Sequence, residues 1–249
     1  MWWLAHGEHE FPSGTDWLSP REQAMLDGIR YTKRYVEFLT RRFTAKRALA
    51  AMLRHRDTAS ELARIEVRNH PGGAPYAVID DEAAAIEVSM SDRAGWAVCL
   101  VGLRGDTPGP LGIDLELVEP RSDGFVEDFF TAAERDAVRA LPAGEARDEA
   151  ANLIWSAKEA ALKVMKVGLR ADTREVEVTF ERARRADGWA AMSVTARGGA
   201  AFPGWWRRDG VFLLTIAGAE PRDPPALLAG SSDLGTAVPS HSWLSRPLR

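Results

Sequence analysis

The chain has a single cysteine, Cys99, in 249 residues. That excludes an intramolecular disulfide and a thiolate zinc cluster. Cys99 sits in the apolar run Ala97-Val98-Cys99-Leu100-Val101, a setting for a buried, inert thiol rather than a nucleophile. Long apolar runs are missing too: no segment approaches the ~18 uninterrupted apolar residues of a membrane span. The opening residues, Met1-Trp2-Trp3-Leu4-Ala5-His6, have neither the basic stretch nor the apolar core of a signal peptide. A cytoplasmic protein with no membrane partner is expected. There is no excess of positive charge either. The net charge of −4 argues against nucleic acid as a partner. Nine tryptophans are scattered along the chain and read as core and surface anchors.

Apolar residues make up 45% of the chain, enough over this length for one large domain or two small ones. Ser19-Pro20-Arg21-Glu22 combines an N-cap, a first-turn proline and a capping-box acid, and so starts a helix. The spacing of Tyr31, Tyr35, Phe38, Leu39, Phe43, Leu49, Met52 and Leu53 predicts a longer helix from about Arg30 to Leu53. Off that stripe lie many basic residues, among them Arg34, Arg42, Lys46 and Arg47; they form either a solvated face or an anion-binding wall. Strands are predicted at Ile65–Arg68, Ala85–Ser91, Gly95–Gly102 and Leu111–Val118. Helices follow at Asp123–Phe130, after the capping box Thr131-Ala132-Ala133-Glu134, and from about Ala146 to Val167 with Gly168 as C-cap. The last strands are expected at Glu175–Phe180, Trp189–Ala196 and Val211–Ala217. The order helix, strands, helix, strands occurs twice, which points to an α+β fold of two similar halves. Thr107-Pro108-Gly109-Pro110 marks the boundary, giving an N-terminal half at 1–108 and a C-terminal half at 109–220. Residues 221–249, rich in Pro, Gly, Ser and Ala, read as a flexible tail.

Two short segments carry chemistry. In Gly112-Ile113-Asp114-Leu115-Glu116-Leu117 the acids alternate with aliphatics, so in a strand both carboxylates share one face. Neighbouring carboxylates repel unless a cation lies between them or one is protonated. Oxygen donors without His or Cys suit Mg²⁺ or Mn²⁺; the alternative is the wet face of an edge strand. In Trp155-Ser156-Ala157-Lys158-Glu159-Ala160-Ala161-Leu162-Lys163, Glu159 and Lys163 lie one helical turn apart. They form either a surface ion pair or, because the helix is apolar nearly all round, a buried pair that needs further partners. A metal on Glu159 and a phosphate on Lys163 would supply them.

Gly-Ile-Asp-x-Glu followed about forty residues later by Trp-Ser-x-Lys-Glu-Ala-x-x-Lys resembles the signature pair of the 4′-phosphopantetheinyl transferases. Glu116 and the chain length resemble the Sfp-type, pseudo-dimeric branch, whose two α/β halves have a pseudo-two-fold arrangement. The resemblance extends from about Ser19 to Ala217. The basic segment 32–49 is similar to the family's Arg-x-x-Glu-Phe-Leu-x-x-Arg helix, and Gly73-Ala74-Pro75-Tyr76 to its Gly-Lys-Pro-Tyr turn. Ser89-Met90-Ser91-Asp92-Arg93-Ala94-Gly95 falls where the family has Ser-x-Ser-His-x-x-Gly.

The resemblance implies that coenzyme A is the substrate and an apo acyl or peptidyl carrier protein the partner. A serine of the carrier attacks the β-phosphorus, the phosphopantetheine arm moves to it, and 3′,5′-ADP leaves. Asp114, Glu116 and Glu159 match the metal positions for Mg²⁺ or Mn²⁺, and Lys163 the phosphate-binding lysine. Lys158 is expected to add a second charge, and Glu159, or a water it orients, to take the serine proton. Arg34, Arg42 and Arg47 are candidates for the nucleotide phosphates, beside Pro75, Tyr76, Ser91, Asp92 and Arg93. Phe125 and Phe129 fall near the implied carrier-binding face. Asp92 at the usual histidine and Ala74 at the usual lysine depart from the pattern. They leave a second reading, a catalytically weak homologue that binds carrier proteins; a third is a Mg²⁺-dependent pyrophosphatase sharing the carboxylates alone. Two halves in one chain imply a monomer.

Overall fold

Ser19 and Glu22 exchange both hydrogen bonds of a capping box and start α1 (Pro20–Asp27), while Thr131 and Glu134 do the same for α5 (Ala132–Arg139). The two helices belong to separate compact units in a computed structural model that describes residues 1–106, 109–167, 171–220 and 222–241. The expected Thr107-Pro108 boundary and the Gly168 cap lie outside the described residues. Unit 1 comprises Met1–Thr107 with Pro225–Arg249, and unit 2 comprises Pro108–Pro224. Helices and mostly antiparallel sheets make the fold α+β. No helix among the described residues is long and apolar enough to cross a membrane.

In unit 1, β1 (Trp2–Gly7) pairs antiparallel with β6 (Trp96–Leu103), which forms a hairpin with β5 (Ile86–Arg93). The long helix α2 (Thr32–Leu53) packs on these strands and buries Phe38, Leu39, Phe43, Ala45, Ala48 and Leu49. Past the short α3 (Ala59–Ala63), β2 (Ile65–Asn69), β3 (Pro75–Ile79) and β4 (Glu82–Ala83) form a small sheet. Cys99 is wholly buried, and burial pushes its thiol pKa far above the usual range. Of the tail expected after Glu220, the described stretch 225–241 is instead tied down. Its strand β12 (Ala226–Leu227) runs parallel to β1, the Ser231 hydroxyl accepts from the Ala5 amide, and Trp96 Nε1 donates to Val238 O. The outer edge of β1 offers unpaired backbone groups, which this polar segment satisfies without contributing a periodic pattern of its own.

In unit 2, β7 (Leu111–Leu117) pairs with β11 (Phe212–Gly218), and the sheet continues through β10 (Ala201–Asp209), β9 (Ala190–Ala196) and β8 (Val176–Phe180). Helix α4 (Asp123–Phe129) and α5 lead into α6 (Glu145–Val164), which packs on β7 and β11. Each unit therefore pairs its first strand with the second strand of a late hairpin and lays its long helix on that pair.

One buried device occurs in both units. Glu22 caps α1, accepts from the Val67 amide and pairs at 2.5 Å with Lys46, a fully buried ammonium that also donates to Trp17 O and Leu62 O. Glu134 caps α5, accepts from the Val178 amide and pairs at 2.8 Å with the fully buried Lys158, which donates to Thr173 O and Val176 O. Burial pulls both ammonium pKa values down, and the partnered glutamates oppose it. A charge so enclosed persists only because its hydrogen bonds are filled. This corrects two expectations. Lys158 faces Glu134 as a structural anchor and is not exposed to a substrate phosphate. Arg42 is buried beside Glu22, with its guanidinium over the Phe38 ring, so the basic stripe of α2 is partly interior.

Candidate active site

Strand alternation sets Asp114 and Glu116 on the face of β7 that α6 covers, with Ile113, Leu115 and Leu117 directed to the other face. Close approach of that helix depends on Gly112, where an added Cβ would stand 1.9 Å from the Ala160 carbonyl oxygen. From Ala150 to Val164 every residue of α6 is buried except Glu159 and Lys163. Over that span the helix is mostly apolar, and Glu159 and Lys163 are its two half-buried side chains.

Hydrogen bonds fix both strand carboxylates. Ser156 Oγ donates to Asp114 Oδ2 at 2.8 Å and lies 2.8 Å from Thr215 Oγ1 on β11. Trp155 Nε1 donates to Glu116 Oε1 at 3.1 Å. Lys163 Nζ donates to Asp114 Oδ1 at 2.9 Å and to Ile113 O at 2.7 Å, so it pairs across to the strand. Arg121, which the sequence reading did not single out, places its guanidinium 3.0 Å from Glu116 Oε2. Its Nε donates to Asn152 Oδ1 at 2.6 Å, and the guanidinium lies over the Phe125 ring. Ser156 lay within the quoted motif and Asn152 one helical turn before it, but Arg121 stands in no periodic relation to it. Phe125 and Phe129 are half-buried and pack edge-on against Trp155, at ring-centroid distances of 5.0 and 5.1 Å.

Burial, reinforced by the charges of Asp114 and Glu116, pushes the Glu159 carboxyl up to about 8. Three carboxylates with hard oxygen donors thus face one another, and the third resists ionisation until a cation arrives. That chemistry fits a divalent metal. Among the described residues, no three His, Cys, Asp or Glu side chains are arranged to hold an ion as they stand. The two strand acids are instead engaged by Lys163 and Arg121.

The remaining expected residues lie in unit 1. Arg34 is exposed near the Tyr31 ring, and Arg47 pairs with Asp57 at 3.2 Å. Tyr76 stacks on His70, beside Pro75 at the start of β3. Ser91, Asp92 and Arg93 end β5. Asp92 pairs with Arg41 at 2.7 Å, and it borders a cleft of about 640 Å³ that Lys33, Glu37, Thr40 and Trp96 also line.

Residues 110–188 match the family model described as ACPS, the 4′-phosphopantetheinyl transferase superfamily. The match covers less than half of the chain and contains β7, α6 and all four clustered residues, Asp114, Glu116, Glu159 and Lys163. No curated protein sequence matches the chain.

Proposed function

We propose that this chain transfers the 4′-phosphopantetheine arm of coenzyme A to a serine of an apo acyl or peptidyl carrier protein. The supporting observation is that Glu159 and Lys163, the two half-buried residues in the otherwise buried stretch 150–164 of α6, meet Asp114 and Glu116 inside the segment that matches the superfamily. Glu116 and the second α+β unit favour the pseudo-dimeric branch acting as a monomer.

Asp114, Glu116 and Glu159 would hold a divalent cation, Mg²⁺ or Mn²⁺, which when bound offsets charge on the pyrophosphate. Lys163 meets a phosphate oxygen, while Ser156 and Trp155 keep the strand carboxylates oriented. The serine oxygen forms a bond to the β-phosphorus as the anhydride bond to the 3′,5′-ADP leaving group breaks. Glu159, ionised once the cation is bound, or a water it orients, receives the hydroxyl proton.

Incubation with coenzyme A, Mg²⁺ and an apo carrier tests this reading by mass spectrometry. A gain of one phosphopantetheine arm on the carrier supports it. A stable complex without mass gain would favour a binding role, and phosphate release without carrier a pyrophosphatase.

Asp92→His should lower the KM for coenzyme A, because it removes a carboxylate and releases Arg41 from its ion pair. Steady-state kinetics at varied coenzyme A give the answer, and an unchanged or higher KM would place Asp92 outside the phosphate pocket.

A further inference from the structure

Arg121 is built into the carboxylate cluster more firmly than a surface arginine. Its side chain is 14% exposed and touches three groups at once: Glu116 by charge, Asn152 by hydrogen bond and Phe125 by its flat face. Asn152 is itself fully buried and is held by Glu119 O and Asp148 O, both at 2.7 Å. Phe125 packs on Trp155, whose indole nitrogen donates to the other oxygen of Glu116. The guanidinium is thus fixed in position beside the carboxylate.

A fixed cation at 3.0 Å from Glu116 Oε2 opposes the approach of a divalent metal to that oxygen. It also makes the metal-free site tolerable, since Glu116 is almost fully enclosed. We propose that Arg121 is a resident counter-ion that stands in for the divalent metal at Glu116 and must give up that pair when the metal enters. This inference rests on the metal-dependent reading above. Arg121 acts through Glu116 and is a positioning residue, so metal affinity is set by competition with an internal cation as well as by the three acids.

The experiment titrates Mn²⁺ alone into the metal-free full chain, with free ion read by electron paramagnetic resonance. Wild type is compared with Arg121→Gln, which keeps an amide for Asn152, and Arg121→Lys, which keeps the charge but loses the planar stack on Phe125. Arg121→Gln should bind Mn²⁺ about tenfold more tightly than wild type, and Arg121→Lys within about twofold of it. Equal or weaker binding by Arg121→Gln overturns the proposal, as does equal tightening in both variants, which would make shape the cause. Wild-type transfer to an apo carrier at saturating Mn²⁺ is measured in parallel. If transfer proceeds and Arg121→Gln binds no more tightly, the counter-ion role fails alone. If no protein binds Mn²⁺, the metal reading fails with it.

Discussion

Replacing Glu159 with glutamine is expected to lower phosphopantetheine transfer about a thousandfold or more. The substitution keeps the size of the side chain but removes the proposed metal ligand and proton acceptor. Retained transfer would refute the assigned metal site. The same change should also alter how stability depends on pH. In the unfolded chain a glutamate titrates near its ordinary value of 4.5, and in the fold Glu159 titrates at about 8. Below the lower value both states hold the proton, and stability is unaffected. Between the two, the unfolded chain has lost a proton that the folded protein keeps, so metal-free stability falls as pH rises through that window. The loss is on the order of a few kcal/mol. Urea unfolding of metal-free wild type at about pH 5 and about pH 8 should show this decline, and Glu159→Gln should flatten it; parallel slopes would mean that Glu159 ionises normally.

A second large effect is expected at a residue that has no side chain. Gly112→Ala sets a methyl group against the Ala160 carbonyl, a contact with backbone that no rotamer change can relieve. Helix α6 has to move off β7, at a cost of about 2–4 kcal/mol. That shift would carry Glu159 and Lys163 away from Asp114 and Glu116, so transfer should fail even where the chain stays folded. A lower urea midpoint together with lost transfer is the expected pair of results. Wild-type behaviour in both would mean that the helix does not need the glycine.

Much of this site could be read from the sequence because each half of it is local. Two acids at spacing two and a Glu–Lys pair at spacing four declare their faces as soon as strand and helix are assigned. The capping boxes at Ser19 and Thr131 were legible for the same reason. Residues whose role depends on distant partners were not. Lys158 looks like a site residue until Glu134 is seen to enclose it, and Arg42 looks like part of a basic wall until Glu22 is found beside it. Arg121 was missed because its link to Asn152 spans 31 positions. Strand β10 was not expected from the sequence; it carries Pro203 and Gly204, two residues that strands seldom hold. In the fold Gly204 faces the β11 backbone so closely that a Cβ would lie 1.8 Å from Ile216 O. Strands β1 and β12 lack alternation, since β1 is buried along nearly its whole length and β12 has only two residues.

The pairing of β12 with β1 also bears on how the molecule is made. Unit 1 is written in two pieces, with the whole of unit 2 between them. A ribosome therefore delivers Ala226, Leu227 and Ser231, which meet Met1, Trp3 and Ala5, only after unit 2 has emerged. Until then the outer edge of β1 has no strand beside it, and an open edge invites pairing with other chains. Because domains fold as units during synthesis, unit 2 can finish first although it starts later. The unit begun first is the last to close.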